Sequence, residues 1–119
     1  MKNIIDCPAE RAVYFLGGKW KIRILFSLLQ GKKVRFGELK KGLKTITQQM
    51  LSKQLKELEA DGIVNRKVIQ IMPPKVEYSL TEFGLSVMPI LRSFSEWNKR
   101  NTKTISVKLN KNFEENRIR

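Results

Sequence analysis

Residues 44–61, KTITQQMLSKQLKELEAD, constrain the fold of this chain more than any other stretch. Met50, Leu51, Leu55 and Leu58 recur at the helical period and define one apolar face, with Gln54 beside them. Gln49, Ser52, Lys53 and Lys56 fall on the other side. Thr47 is placed to cap the N-terminus, because its hydroxyl can accept from an amide one turn on. Ile46 and Leu51 occupy the two positions of a hydrophobic staple around it. Gly62 suits the left-handed residue that stops a helix. The outward face carries no acid before Glu57 and Glu59. Its front therefore offers amides, a hydroxyl and ammonium groups, the chemistry that meets phosphates and base edges.

The flanking segments supply a setting for this helix. Upstream, FGELKKGL at residues 36–43 reads as a helix with Phe36, Leu39 and Leu43 inward, joined to it by a turn at Lys44-Thr45. Two helices joined by so short a turn make a helix-turn-helix, whose second helix enters the major groove. Earlier still, Cys7-Pro8-Ala9-Glu10 starts a short apolar helix that contains Ala12, Val13, Phe15 and Leu16 and stops at Gly17-Gly18. Proline suits the first helical position, where no N–H is needed. Lys19-Trp20 opens a second helix ending at Gly31. Its Ile22, Ile24, Leu25, Leu28 and Leu29 are too apolar for a surface helix, which places it at the centre of the core. Residues 34–36 form a short extended bridge.

Downstream the pattern changes to strand. Residues 63–71 are rich in β-branched side chains, Met72-Pro73-Pro74 breaks the run, and Val76, Tyr78 and Leu80 then alternate. A hairpin directly after a helix-turn-helix is the layout of a winged helix, with Arg66, Lys67 and Lys75 on the wing to reach backbone or minor groove. Thr81 and Glu82 begin a final long helix whose apolar stripe is Val87, Ile90, Leu91, Phe94 and Trp97, with a kink expected at Pro89. After Asn98 the chain is charged, although Ile105, Val107 and Leu109 alternate; it reads either as a helical extension or as disordered. The expected fold class is mainly α with a small β-hairpin, residues 1–98 forming the binding domain and 99–119 a basic C-terminal extension.

Charge supports a polyanionic partner. The 119 residues hold 24 Lys and Arg against 11 Asp and Glu, a net +13 with no histidine. Such an excess points to nucleic acid or an anionic membrane. Residues 99–119 carry seven of the basic groups and two of the acids, so the body is basic in its own right. No apolar run is long enough to span a bilayer, and the N-terminus lacks the apolar segment of a secretory signal. A single cysteine excludes an internal disulfide and fits the cytoplasm. An enzyme is not indicated: histidine, a metal-ligand cluster and a glycine-rich phosphate loop are all missing. Ser52 and Lys56, four residues apart, lack any accompanying oxyanion signature.

Many short motifs together resemble one family. Cys7-Pro8, Gly17-Gly18-Lys19-Trp20, Arg35-Phe36, Ile46-Thr47-Gln48, Met50-Leu51, Gln54-Leu55, residues 57–62 (ELEADG), Pro73-Pro74, residues 76–82 (VEYSLTE) and Pro89 resemble the HxlR family of bacterial and archaeal winged-helix transcriptional regulators. The resemblance covers residues 7–97. It implies a homodimer that binds a pseudo-palindromic DNA operator, dimerises through its first and last helices, and takes no cofactor. Val13, Phe15, Leu91, Phe94 and Trp97 are the expected dimer residues. The family's Pro-Gly turn is replaced here by Lys44-Thr45, a common serine by Gly37, an acid at the wing tip by Gln70-Ile71, and a usual arginine by Lys75.

Within that frame the candidate DNA-binding residues are Arg35, Lys40, Thr47, Gln48, Gln49, Ser52, Lys53, Lys56 and Lys75. Gln49 is the expected base reader, since a carboxamide can pair bidentately with adenine. Lys53 and Lys56 read guanine or neutralise phosphate. Thr47 and Gln48 can donate to phosphate beside the free amides of the helix start. Arg35, Lys40 and Lys41 contact the backbone or serve solubility. Cys7 has two readings, a redox or electrophile sensor with its thiol activated at a helix N-terminus, or an inert cysteine at the dimer seam. Trp20, Trp97, Phe15 and Phe94 fit core or dimer interface better than a ligand cage. The competing function is a small basic RNA-binding or ribosome-associated protein. Such modules usually display stacking aromatics on an open sheet, and here the hairpin has only Tyr78.

Overall fold

Pro8 and Gly17 bracket the first helix, α1 (Pro8–Leu16), as their backbone chemistry requires. The computed structural model describes the backbone of residues 7–118 and the side-chain surroundings of residues 7–112. After α1 come α2 (Lys21–Gly31), β1 (Val34–Arg35), α3 (Phe36–Leu43), α4 (Gln48–Ala60), β2 (Val64–Gln70), β3 (Lys75–Leu80), α5 (Glu82–Leu85), α6 (Met88–Arg100) and α7 (Thr102–Ile118). The chain divides into two compact units, Met1–Ser86 and Val87–Arg119.

The core of the first unit is built from helix stripes. Ile24, Leu25 and Leu28 of α2, Leu39 and Leu43 of α3, and Leu51, Leu55 and Leu58 of α4 are all buried, with Ile46, Ile63, Val64 and Tyr78. Burying each of these leucines is worth roughly 1.5–3 kcal/mol. The face of α4 that the leucine spacing marks as apolar is thus the face that holds it to the domain.

The three strands form one antiparallel sheet in the order β1-β3-β2. The extended segment before α3 is therefore a strand: Val34 pairs with Tyr78 and Arg35 with Glu77, while Phe36 already belongs to α3. On the other edge Val64 pairs with Leu80, Lys67 with Glu77 and Val68 with Val76, and the register slips by one between Val68 and Gln70. The β-branched run of β2 forms the expected strand, yet only its root is buried; Val68 and Ile69 are exposed. The Met72–Pro73 peptide at the tip is cis.

Thr81 ties the base of the hairpin to the end of α4. Its hydroxyl donates to the carbonyls of Gly62 (2.6 Å) and Ile63 (3.2 Å) and accepts from the amide of Gly84 (2.9 Å). Gly84 is buried against the Ile63 carbonyl, where a Cβ would collide. Gly62 takes φ 74°, the left-handed stop expected after α4.

The final long helix is not one kinked rod. The helix begun at Thr81 ends after Leu85, and Ser86 closes it by donating from its hydroxyl to the Phe83 carbonyl. A new helix starts at Met88 with Pro89 in its first turn. Proline acts here as a starter, at a position with no intrahelical N–H bond to lose, rather than as an interior kink. In the second unit Val87, Met88 and Leu91 are buried. The segment beyond Asn98 is helical: α6 runs on to Arg100, Asn101 interrupts, and α7 follows.

Candidate nucleic-acid interface

α4 begins with a satisfied cap. The Thr47 hydroxyl accepts from the Met50 amide at 3.1 Å, and a hydroxyl that accepts still has its own proton to donate. Capping and contact with an external oxygen are therefore compatible in one side chain. Gln48, Gln49, Lys53 and Lys56 are exposed along the outer face and Ser52 is half-buried between them. These five side chains and Glu57 border a single open depression. Gln54, by contrast, turns inward and donates to Met50 Sδ at 3.4 Å.

The entry to α4 is a tight turn. Lys44 takes φ 62°, and the Thr45 amide donates to the Leu43 carbonyl at 2.8 Å across it. A non-glycine residue in this region is strained, at a cost on the order of 1–3 kcal/mol. The same Leu43 carbonyl accepts from Arg23 Nη2 at 3.3 Å, and the Arg23 guanidinium lies 4.8 Å from the centre of the Trp20 ring. Lys19 lies over the same ring at 4.9 Å. Trp20 is thus a platform for two cations, and one of them anchors the turn between the two helices. The sequence pattern does not mark Arg23 for this role. It sits on the polar side of α2, and nothing local marks a contact twenty residues away.

A second unforeseen contact braces the far half of α4. Lys21 is buried at 7% exposure, and its Nζ lies 2.8 Å from Glu57 Oε1. A buried ammonium is tolerable only with such a partner. The hydrogen bond and charge of Lys21 hold the Glu57 carboxyl below the usual carboxylate range, with Lys53 adding a smaller pull in the same direction. The sequence does carry a trace of this: Lys21 precedes Ile24, Leu25 and Leu28 by three, four and seven residues, so it lies on the buried stripe of α2.

The other predicted residues are more scattered. Arg35 caps α3, with its amide donating to Glu38 Oε1 at 3.0 Å and its side chain exposed. Lys41 is exposed, whereas Lys40 on α3 and Lys75 at the foot of the wing are half-buried. Cys7 is a free, exposed thiol at the N-cap of α1. On the same helix Val13 is exposed, and Phe15 is half-buried in edge-to-face contact with Phe83 at 6.5 Å. Phe94 and Trp97 of α6 are more than half exposed. Leu91 of the same helix is buried at 1% exposure. Among the described residues no group of three or more His, Cys, Asp and Glu could hold a metal ion, and no helix is long and apolar enough to cross a membrane.

A helix-turn-helix followed by a hairpin, with a third strand closing the sheet, defines a winged-helix protein. The model of the HxlR-like helix-turn-helix family matches residues 15–106, and the chain belongs to that family. It is 48% identical over 101 residues to an uncharacterised HTH-type transcriptional regulator of Halalkalibacterium halodurans, covering 85% of this chain and 89% of that protein. Among solved structures it is similar to the redox regulator HypR in its reduced form, with TM-score 0.79, 46% identity and coverage of 85% of this chain and 99% of that one. It is also similar to the reduced form of the transcriptional regulator YodB from Bacillus subtilis, with TM-score 0.71, 36% identity and coverage of 81% and 94%. The protein is a helix-turn-helix transcriptional regulator.

Proposed function

We propose that the protein is a homodimer that binds a pseudo-palindromic DNA operator with α4 in the major groove. The observation that carries this reading is the outer face of α4. Gln48, Gln49, Ser52, Lys53 and Lys56 share one exposed surface that begins at the Thr47 cap. Gln49 reads a base edge, Lys53 and Lys56 supply charge, and Thr47 and Gln48 fix the register on phosphate. Arg35, Lys40 and Lys75 add backbone contacts. Val13, Phe15, Phe94 and Trp97 supply the apolar surface for the partner subunit. Residues 1–98 make up the DNA-binding and dimerising part and residues 99–119 a basic extension.

Selection of bound duplexes from a random pool, followed by titration in rising salt, tests the reading. Gln49→Ala should cost about 1–3 kcal/mol of discrimination at one base pair and little elsewhere. Lys53→Ala should weaken all duplexes alike and reduce the salt slope by about 1. Equal losses at every site for both variants, or tighter binding to RNA than to any duplex, would contradict the assignment.

We further propose that Cys7 makes the regulator responsive to oxidants. Support comes from its exposure at a helix start and from the likeness to a redox regulator. With one thiol per chain, oxidation by diamide joins the Cys7 sulfurs of two protomers, while diamide takes up the two electrons and two protons. Treatment should give a dimer on non-reducing gels and change operator affinity. Cys7→Ser should bind the operator normally and lose both effects.

A further inference from the structure

The wing tip does not have the surface expected of a backbone-contacting loop. Ile71 and Met72 are each 82% exposed, and Val68 and Ile69 just behind them are also exposed. Pro73 and Pro74 follow, so the turn offers few N–H groups to a phosphate. A loop built only to hold phosphates would present donors. This one presents aliphatic side chains to solvent, where they gain nothing from folding.

The tip is also built rather than loose. The slip of register between Val68 and Gln70 leaves Ile69 as the extra residue of a bulge, and bulges bend a strand and re-aim its side chains. The Gln70 side chain reaches round the turn and donates to the Met72 carbonyl at 3.1 Å. The two prolines fix their own φ angles. The backbone of Ile71 and Met72 is therefore held at the extremity of a stiffened ribbon, and little backbone freedom remains to be lost when they meet a partner.

The surroundings identify that partner. Arg66 and Lys67 of β2 are exposed behind the tip, and Lys75 stands at its foot. Glu77, opposite Lys67, is the one acid of the ribbon. An apolar point set among cations fits a polyanion with an apolar interior, which is what a base stack inside a phosphate cage is. A two-stranded ribbon needs the width of a major groove, and the minor groove is only about 6 Å wide, so it is the two side chains at the tip, not the ribbon, that enter. Reach agrees as well. β2 leaves the end of α4 and extends seven residues, about 23 Å at strand rise. Half a helical turn of DNA, the step from a major groove to the flanking minor groove, is about 17 Å.

We propose that Ile71 and Met72 form an apolar wedge that enters the minor groove beside the α4 site and partly unstacks one base step, so that the protein reads DNA deformability there. This rests on α4 binding duplex DNA, and it adds a second kind of readout at a position where no base edge is hydrogen-bonded. The favoured step is a flexible pyrimidine–purine step such as TA, and a stiff A-tract in its place is penalised.

The test compares the full-length protein with the Ile71→Ser/Met72→Ser variant on duplexes taken from the selection. End-to-end fluorescence transfer reports bending, and competition reports the preference for TA over an A-tract at the flanking position. The wild type should bend the duplex and prefer TA by about tenfold. The variant should lose the bend and the flank preference while keeping the preference at the base pair assigned to Gln49. A straight duplex with the wild type, or an unchanged bend and flank preference in the variant, would overturn the wedge and leave the α4 reading standing. A change of oligomeric state in sedimentation with the bend unaltered would assign the tip to contact between copies of the chain, and would overturn it equally. If the wild type prefers no duplex at all, the α4 reading falls, and the wedge with it.

Discussion

α4 and the wing present opposite kinds of surface to solvent. α4 buries its leucines completely and shows amides, a hydroxyl and ammonium groups outward. The wing buries only its root at Val64 and Tyr78 and shows aliphatic groups at its tip. α4 is positioned by packing, capped at Thr47 and braced by the Lys21–Glu57 pair. The wing is positioned by its backbone ladder, a bulge and the Gln70 brace. The difference shows that a surface can be held in place in two ways, by fixing side chains to a core or by stiffening a backbone. Under the proposed function the first suits discrimination by hydrogen bonds and the second discrimination by shape.

Substitutions that remove anchoring from each element in turn should have very different costs. Leu55→Ala should cost about 2–5 kcal/mol of stability, because it opens a cavity behind α4. Ile71→Ala, at a site with no covering atoms, should stay within about 0.5 kcal/mol. Urea denaturation of the two variants checks both. Comparable losses would mean that the wing is packed as α4 is, and the contrast would fail.

Thr47→Ala is a smaller perturbation of the same kind. It leaves the Met50 amide without its acceptor and should lower stability by about 1 kcal/mol. It also removes the hydroxyl proposed to donate to phosphate, so on that reading DNA affinity should drop as well. Thermal denaturation and binding by the same preparation separate the two roles.

The smallest expected effect is a pH dependence. The Glu57 carboxyl titrates below its ordinary range in the folded chain because of Lys21. Its contribution is therefore fully present above the ordinary glutamate pKa and is lost as pH falls through the lowered folded value. Glu57→Gln should be less stable than wild type at neutral pH, and the gap should close on acidification. Glu57 is partly exposed, so the gap is a modest one. A gap that widens on acidification would mean that Lys21 is held by something other than this carboxylate.

Much of the architecture was legible in the chain because it is encoded locally. The leucine spacing of 50–58, the Thr47 cap and Gly62 as a left-handed stop each express a rule spanning one or two turns, and each is realised; residues 75–80 do form a strand, but of its alternating Val76, Tyr78 and Leu80 only Tyr78 is buried. The outer face of α4 was equally legible, since whatever does not face the core on an amphipathic helix faces out. Where local signals compete, the pattern is ambiguous. Thr81-Glu82 and Pro89 fit one kinked helix, yet a capping threonine and a helix-starting proline eight residues apart serve two helices here. The apolar stripe of α6 likewise does not say which of its members are covered: Leu91 is buried, whereas Phe94 and Trp97 are more than half exposed.

What the chain alone determined is a set of faces: which side of each helix is apolar, where each element starts and stops, and that the whole is strongly basic. These follow from periodicity and backbone chemistry within a few residues. Long-range packing settles that Val34 joins the sheet beside Tyr78, that Arg23 holds the Leu43 carbonyl, that Lys21 meets Glu57, and that Ile71 and Met72 stand uncovered. Each of these depends on segments far apart in sequence being brought together, or kept apart, by packing. That geometry is a property of the assembled core and of no single stretch of it.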